Sequence, residues 1–164
     1  MINSPQVMTT EARRYFENLI QQVRLYLRDY PQLNRLIRGE ESSDRTIAYA
    51  LQDACNDWNS TPPLIGNVDV LSHPAPNLLV RCASATLLQS VSFLQTRNNL
   101  SYSDGEVNVN SSSRGPELRQ AAGMLLQDYE MKKQRLKIAL NIEGAWGSGT
   151  FSDLAVANGY YLDY

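Results

Sequence analysis

The sequence contains few of the residues on which enzyme chemistry depends. Its 164 residues include one histidine and two cysteines. A nucleophilic triad needs a base beside its nucleophile, and the single imidazole, His73, lies in a proline-flanked loop, where we expect an ordinary loop residue. No set of cysteines and histidines has zinc spacing, and the sequence has neither a phosphate loop nor a dinucleotide-binding glycine pattern. These absences favour a protein that is not an enzyme and that uses no metal or cofactor.

The two cysteines each fall inside a predicted helix among alanine and leucine neighbours. A free cysteine packs as a small apolar residue, so we expect Cys55 and Cys82 to be buried thiols rather than a disulfide or a metal pair. An alternative is a small hydrolase that uses one of these thiols with His73, because residues far apart in sequence can meet in a fold. Nothing in the sequence favours that alternative.

Long hydrophobic runs and a secretory signal are also missing. No segment approaches the roughly 18 uninterrupted apolar residues of a membrane span, and residues 1–10 lack the basic start and apolar run of a signal peptide. Hydrophobic residues make up 43% and charged residues 20% of the chain, as in ordinary folded proteins. We expect one domain, made in the cytoplasm and without membrane contact.

The net charge of −2 is too small for a general nucleic-acid binder. The charges are nevertheless segregated, because residues 11–38 contain six arginines and three acids, whereas residues 40–69 contain six acids and one arginine. Opposite blocks could attract each other in neighbouring copies, although each block alone is typical of a solvated face. Acid pairs such as Asp53 and Asp57 could act as acid–base couples, but exposed carboxylates are favoured because no apolar neighbours shift their pKa values.

Apolar residues at spacings of three and four predict four helices. The third has a broad apolar face and many small residues, so we expect it to be the central helix. The predicted boundaries are Thr9 and Pro31 for the first helix, Ser43 or Asp44 and residues 59–63 for the second, an opening at residues 74–77 for the third, and Pro116 and Gly144 for the fourth.

Between the third and fourth helices the hydrophobic period changes to two. Leu100, Tyr102, Val107 and Val109 alternate with polar residues around the dipeptide Asp104-Gly105, which suits a tight hairpin turn. A β-hairpin is therefore predicted at about residues 99–110. Because two strands are marginal alone, we expect this hairpin to pack on the helices or to pair with a strand of a partner.

Residues 144–164 combine many glycines with many aromatic residues. This composition is unsuited to a helix and too aromatic for free disorder. Aromatic side chains carry much of the energy of interfaces, so an arm that docks on another surface is favoured over a tail that folds back on its own core. The predicted interface residues in this arm are Trp146, Phe151, Tyr160, Tyr161 and Tyr164.

A basic run lies in the second half of the fourth predicted helix, at Lys132, Lys133, Arg135 and Lys137. Cations are expected near the negative end of a helix, and this interpretation is favoured. The alternative is that the four side chains form a patch facing DNA.

Several of these segments together resemble small virion proteins of tailed bacteriophages. The resemblance rests on the run Asn99–Val109, the linker after it, the helix ending in residues 136–141, and Trp146-Gly147, and it spans about residues 75–147. Such proteins are described as structural, neck or head-to-tail connector proteins. The order of the helices is also similar to that of phage adaptor proteins, which are compact helical bundles that form a ring beneath the portal.

The resemblance implies a mainly α fold, with a four-helix bundle-like connector domain at residues 1–143, the small hairpin, and an extended C-terminal arm at residues 144–164. It implies a virion neck protein that forms a homo-oligomeric ring, twelve-fold to match the portal. The expected partners are further copies of the chain, the portal protein, a tail-proximal neck or tail terminator protein, and DNA passing non-specifically through the channel. The hairpin tip at Asp104-Gly105 and the arm would supply contacts above and below.

Two other interpretations stay open. A head-closure or tail-completion protein is a second structural possibility, but such proteins are usually β-rich and four helices argue against it. The other interpretation is an intracellular helical binding module without a role in the virion.

Overall fold

The computed structural model describes residues 9–34, 39–97, 101–104, 107–110 and 114–146 of the chain. The prediction of a mainly helical protein with four helices is confirmed. The helices are α1 (Thr10–Leu27), α2 (Asp44–Ser60), α3 (Pro76–Arg97) and α4 (Arg114–Trp146), and two short strands, β1 (Ser101–Asp104) and β2 (Val107–Asn110), lie between α3 and α4.

Short polar side chains begin the first two helices, as the sequence predicts. The hydroxyl of Thr9 accepts a hydrogen bond from the backbone amide of Ala12 at 3.3 Å, and the hydroxyl of Ser43 accepts one from Thr46 at 3.2 Å. These bonds satisfy amides that have no partner inside the helix. The end of α1 comes before the predicted stop at Pro31, because Arg28 adopts a left-handed conformation with φ 57° and caps the helix there.

Helix α3 is the central element, as expected from its composition. It contacts α1, α2 and α4, and its buried side chains include Leu79, Ala83 and Leu87. The length and hydropathy of α3 would also suffice for a membrane-spanning helix. A core helix of a folded domain meets the same criterion, and the contacts of α3 with all three other helices account for its apolar character.

Helix α4 packs lengthwise on α3. Gly115 allows the two helices to approach closely, since a Cβ atom at this position would lie 2.7 Å from the hydroxyl of Thr96. The prediction that Gly144 ends this helix is wrong: α4 continues to Trp146. A single glycine in a helix costs only about 1 kcal/mol, too little to stop a helix of 33 residues.

Strands β1 and β2 run antiparallel, with Tyr102 opposite Val109 and Asp104 opposite Val107. Residues 105 and 106 lie outside the described part of the chain, so the structure gives no support for the predicted turn at Asp104-Gly105. The strands contact each other far more than they contact any helix. The expected packing of a hairpin on the helices is therefore not supported either.

Candidate functional site

The predicted interface residues fall mostly beyond the described part of the chain. Gly105 lies there, and so do Phe151, Tyr160, Tyr161 and Tyr164. Asp104 is the last residue of β1, and Trp146 is the last residue of α4 rather than part of an extended arm. The arm and the hairpin tip as interfaces therefore stay predictions.

The basic run of α4 is divided between two faces of the helix. Arg135 is exposed and Lys132 is about one-third exposed. Lys133 and Lys137 are 0% and 1% exposed, so the alternative of a DNA-facing patch does not hold for these two lysines. Their spacing of four residues places them on one line of the helix with the buried Tyr129. That register with the apolar stripe was the sequence signal that could have revealed their burial.

Lys133 is buried with its charge compensated. Its amine donates hydrogen bonds to the carboxylates of Asp57 at 2.7 Å and Glu130 at 2.8 Å. Burial acts to lower the pKa of Lys133, but the hydrogen bonds to these two carboxylates outweigh it and raise the pKa, so the amine stays charged. The hydroxyl of Tyr129 donates to the same carboxylate of Asp57 at 2.7 Å. Asp57 is thus part of a contact between α2 and α4 and not the freely exposed acid that the sequence predicts.

Lys137 contacts the carboxyl end of α2. Its amine donates to the backbone carbonyl of Trp58 at 2.6 Å and also to that of Thr61. Carbonyls at a helix end have no partner inside the helix and carry partial negative charge, which explains why a cation is accepted there. Burial, with the nearby charge of Lys133, lowers the pKa of Lys137.

His73 lies in the loop before α3, as expected, but its ring is buried rather than exposed. It is 5% exposed, and its ring centre lies 4.6 Å from that of Trp58. Its Nδ1 accepts a hydrogen bond from the amide of Ala75 at 3.0 Å, whereas Nε2 has no hydrogen-bond partner among the described residues. Burial lowers the pKa of His73 to about 4, so the ring is neutral at pH 7.

The two cysteines are free and buried, which confirms the prediction for them. The thiol of Cys55 donates to the carbonyl of Val68 at 3.2 Å. Burial raises the pKa of Cys82 to about 12. Because the thiolate is the reactive form, Cys82 is a poor nucleophile in this environment.

A second buried cation joins α1 to the start of α2. Arg24 is 2% exposed and forms ion pairs with Asp44 at 2.6 Å, Glu40 at 2.8 Å and Asp29 at 3.5 Å. The carboxylate of Asp29 also accepts hydrogen bonds from the amides of Glu41 and Ser42. At these positions the basic and acidic blocks of the sequence attract each other within one subunit.

The outer face of α4 is mostly uncharged. The exposed side chains between 120 and 145 are apolar, small or amide-bearing, apart from Arg135, Glu130 (46% exposed) and Lys132 (36% exposed). Four apolar side chains form a line along this face, and we call Met124, Met131, Ile138 and Ile142 the α4 seam. Between 36% and 61% of each of these side chains is exposed. Spacings of seven and then four residues keep these side chains on one side of the helix, as in helices that pack against another chain.

Within the described ranges, no group of three or more histidine, cysteine, aspartate or glutamate side chains could hold a metal ion. The buried polar groups of α4 are engaged in hydrogen bonds that join it to α2. The exposed apolar side chains of the described residues include the α4 seam and, elsewhere, Leu25, Leu64 and Phe93. In comparisons with known proteins, the chain matches no family model, no curated protein and no solved structure.

Proposed function

We propose that this protein is a neck component of a tailed-bacteriophage virion, an adaptor whose copies form a ring that joins the portal to the tail. It acts through its shape and its interfaces rather than by catalysis. The observation that carries the proposal is the α4 seam, an exposed apolar line on the outer face of the longest helix.

Composition supports an interface on this face. The cores of protein interfaces are depleted in charged residues and enriched in methionine and aromatic residues. The four seam residues are uncharged and two of them are methionines, whereas the exposed charges of this stretch, Arg135, Glu130 and Lys132, lie outside the seam. Exposed apolar lines of this kind are unusual on a protein that works as a monomer.

The proposed assembly is a ring of identical subunits, twelve-fold to match the portal, with DNA in its channel. Head-to-tail contacts close into a ring when the rotation from one subunit to the next is suitable. The connector domain is the helical part. The arm after it contacts neighbouring subunits, and the arm and the hairpin tip at Asp104-Gly105 together supply contacts to the portal and to the next neck or tail protein. Of the basic run, Lys132 and Arg135 are the side chains able to face the DNA.

The competing functions have less support. A head-closure or tail-completion protein is disfavoured because such proteins are usually β-rich. A hydrolase using Cys82 and His73 is disfavoured because the pKa of the thiol is raised and the pKa of the imidazole is lowered, so neither group has the protonation behaviour that Cys-His catalysis needs.

Purified particles and purified portal rings test the proposal. We expect mass spectrometry to detect the protein in virions, and electron microscopy to show a ring of it on portal complexes. Met131→Glu should abolish ring formation, because it places a charge in the α4 seam. Tyr49→Glu is the matched control, since Tyr49 is 61% exposed on α2 and lies outside the seam. Absence from virions together with failure to bind the portal would refute the neck role, and detection only in infected cells would favour a binding module.

A further inference from the structure

The α4 seam raises the question of what covers it before any assembly forms. Apolar lines that stay exposed promote non-specific association. A soluble subunit with such a seam therefore needs an occupant for it. The charges beside the seam and the chain that follows α4 identify a candidate.

One edge of the seam is basic. Arg135 is exposed, and Lys132 and Arg81 are each about one-third exposed. Asp128 is the acid among them, and it already pairs with both Arg81 and Lys132. This edge keeps a positive excess, so two seams brought together with their basic edges on the same side would repel each other. An acidic occupant is favoured over the seam of a second copy.

The segment after α4 has the matching composition. Residues 147–164 contain two acids, Asp153 and Asp163, and no lysine or arginine. The segment also supplies apolar side chains for a seam that lacks a partner. These are Phe151, Leu154, Val156, Tyr160, Tyr161, Leu162 and Tyr164.

The start of this segment and its length suit the seam of its own subunit. Helix α4 ends at Trp146, about one turn after Ile142, and Gly147 and Gly149 permit a reversal of the chain there. The 18 residues from 147 to 164 reach at most about 60 Å when extended, whereas the seam from Met124 to Ile142 is roughly 27 Å long. A tethered segment is present at an effective concentration in the millimolar range, far above that of other copies in a dilute solution.

We propose that residues 147–164 lie along the α4 seam of their own subunit while the subunit is free. The seam and the aromatic arm then cover each other, which prevents free subunits from associating with one another before they bind the portal. In the ring the same contact is made with a neighbour's arm, since exchange of an identical element between copies costs little. The exchange of arms between subunits rests on the proposed function. The docking of residues 147–164 on the α4 seam of the free subunit, which we call the seating, does not.

Disulfide formation in the full-length chain tests the seating. The double variant Ile138→Cys with Val156→Cys places one thiol in the seam and one in the segment, and the native cysteines do not interfere because both are buried. At low protein concentration we expect a disulfide within one chain, formed about tenfold or more faster than in a control with Tyr49→Cys and Val156→Cys. Equal rates in the two variants would refute the seating, and so would a disulfide found only at the mass of a dimer.

The charge contribution has its own test in the same reaction. At low ionic strength Arg135→Asp should slow the disulfide in the Ile138→Cys, Val156→Cys background several-fold, and salt should reduce the difference because it screens exposed charges. Arg13→Asp, on the exposed face of α1, is the matched control and should have no effect. A rate unchanged by Arg135→Asp would refute the proposed pairing of the basic edge with the acidic segment.

The two proposals fail in different ways. If the seating is wrong and the neck role is right, the disulfide rates match the control while the protein still forms rings on the portal. If the neck role is wrong and the seating is right, the disulfide forms rapidly in a protein that does not bind the portal.

Discussion

Two buried clusters of positive charge hold the two ends of helix α2, and they differ in their partners. At the start of α2, the guanidinium of Arg24 is surrounded by the carboxylates of Asp29, Glu40 and Asp44. At its end, the amine of Lys137 contacts two backbone carbonyls. Lys133, one turn before Lys137 on α4, pairs with Asp57. Both arrangements follow the helix dipole, which favours an acid such as Asp44 at the start and a cation at the end.

The difference shows how buried arginine and lysine side chains are compensated by different kinds of hydrogen-bond acceptor. Arginine has five donors in a planar fork and stays charged, so it suits several carboxylates at once. Lysine is a compact charge on a flexible stem and can reach into the end of a helix. The arginine cluster should therefore depend on its charge balance, and the lysine cluster should depend more on satisfying backbone carbonyls.

The largest effect is expected when the arginine cluster loses its cation. Arg24→Met keeps an apolar stem but leaves the buried carboxylate of Asp29 without its ion pair, and we expect a loss of about 3 to 5 kcal/mol in the free energy of unfolding. Urea denaturation followed by circular dichroism measures this loss. Arg14→Met, at an exposed position of the same helix, is the control. A similar small change in both variants would show that the cluster adds nothing.

The second effect is a pH dependence of the free energy of unfolding, caused by His73, which packs against Trp58 near the end of α2 where Lys137 binds. The pKa of His73 is lowered from 6.5 to about 4 in the folded protein, so the unfolded chain takes up a proton first as the pH falls. The stability that the neutral His73 contributes to the folded protein is therefore fully present above pH 6.5 and is lost as the pH falls from 6.5 to 4. This loss amounts to about 3 kcal/mol at most in the free energy of unfolding. Denaturation at a series of pH values measures it. The variant His73→Phe should lack this part of the pH dependence, and its persistence would assign the loss to other groups.

A smaller effect is expected from removing the amine of Lys137. Lys137→Met keeps the stem against Trp58 but removes the donor to the carbonyl of Thr61 and leaves the carbonyl of Trp58 with only the Thr61 amide at 3.3 Å, which should cost about 2 kcal/mol. Thermal unfolding followed by circular dichroism checks this value. Lys132→Met, which removes a partly exposed amine from the same helix, should change stability by less than about 1 kcal/mol. Equal losses would contradict the special role of the buried amine.

The smallest effect is expected at Asp57. Its side chain is 41% exposed, and Lys133 keeps Glu130 as a second partner, so Asp57→Asn should cost only about 1 kcal/mol. The neighbouring exposed Asp53 offers the control Asp53→Asn. A loss as large as that of Arg24→Met would show that the two clusters depend equally on charge balance.

Local features of the fold were predictable because they depend on neighbouring residues. Thr9 and Ser43 cap helices through hydrogen bonds to amides three residues ahead, and the apolar period gave four helices with α3 at the centre. Gly144 misled the prediction, because a glycine marks a helix end only when the chain changes direction there. The burial of Lys133 and Lys137 was missed because the basic run was interpreted as cations near a helix end, although the spacing of four residues places both lysines in register with the buried Tyr129.

The sequence by itself determined where helices can form and that the thiols pack as apolar groups, since both depend on local chemistry and composition. Only the tertiary structure decided which charges meet. Arg24 pairs with Asp44, which is 20 residues away in the sequence, and Lys133 pairs with Asp57, which is 76 residues away. No periodicity of the sequence predicts pairs at such separations. The rotation of α4 that buries these lysines also turns Met124, Met131 and Ile138 outward, because side chains on opposite faces of one helix cannot both meet the core.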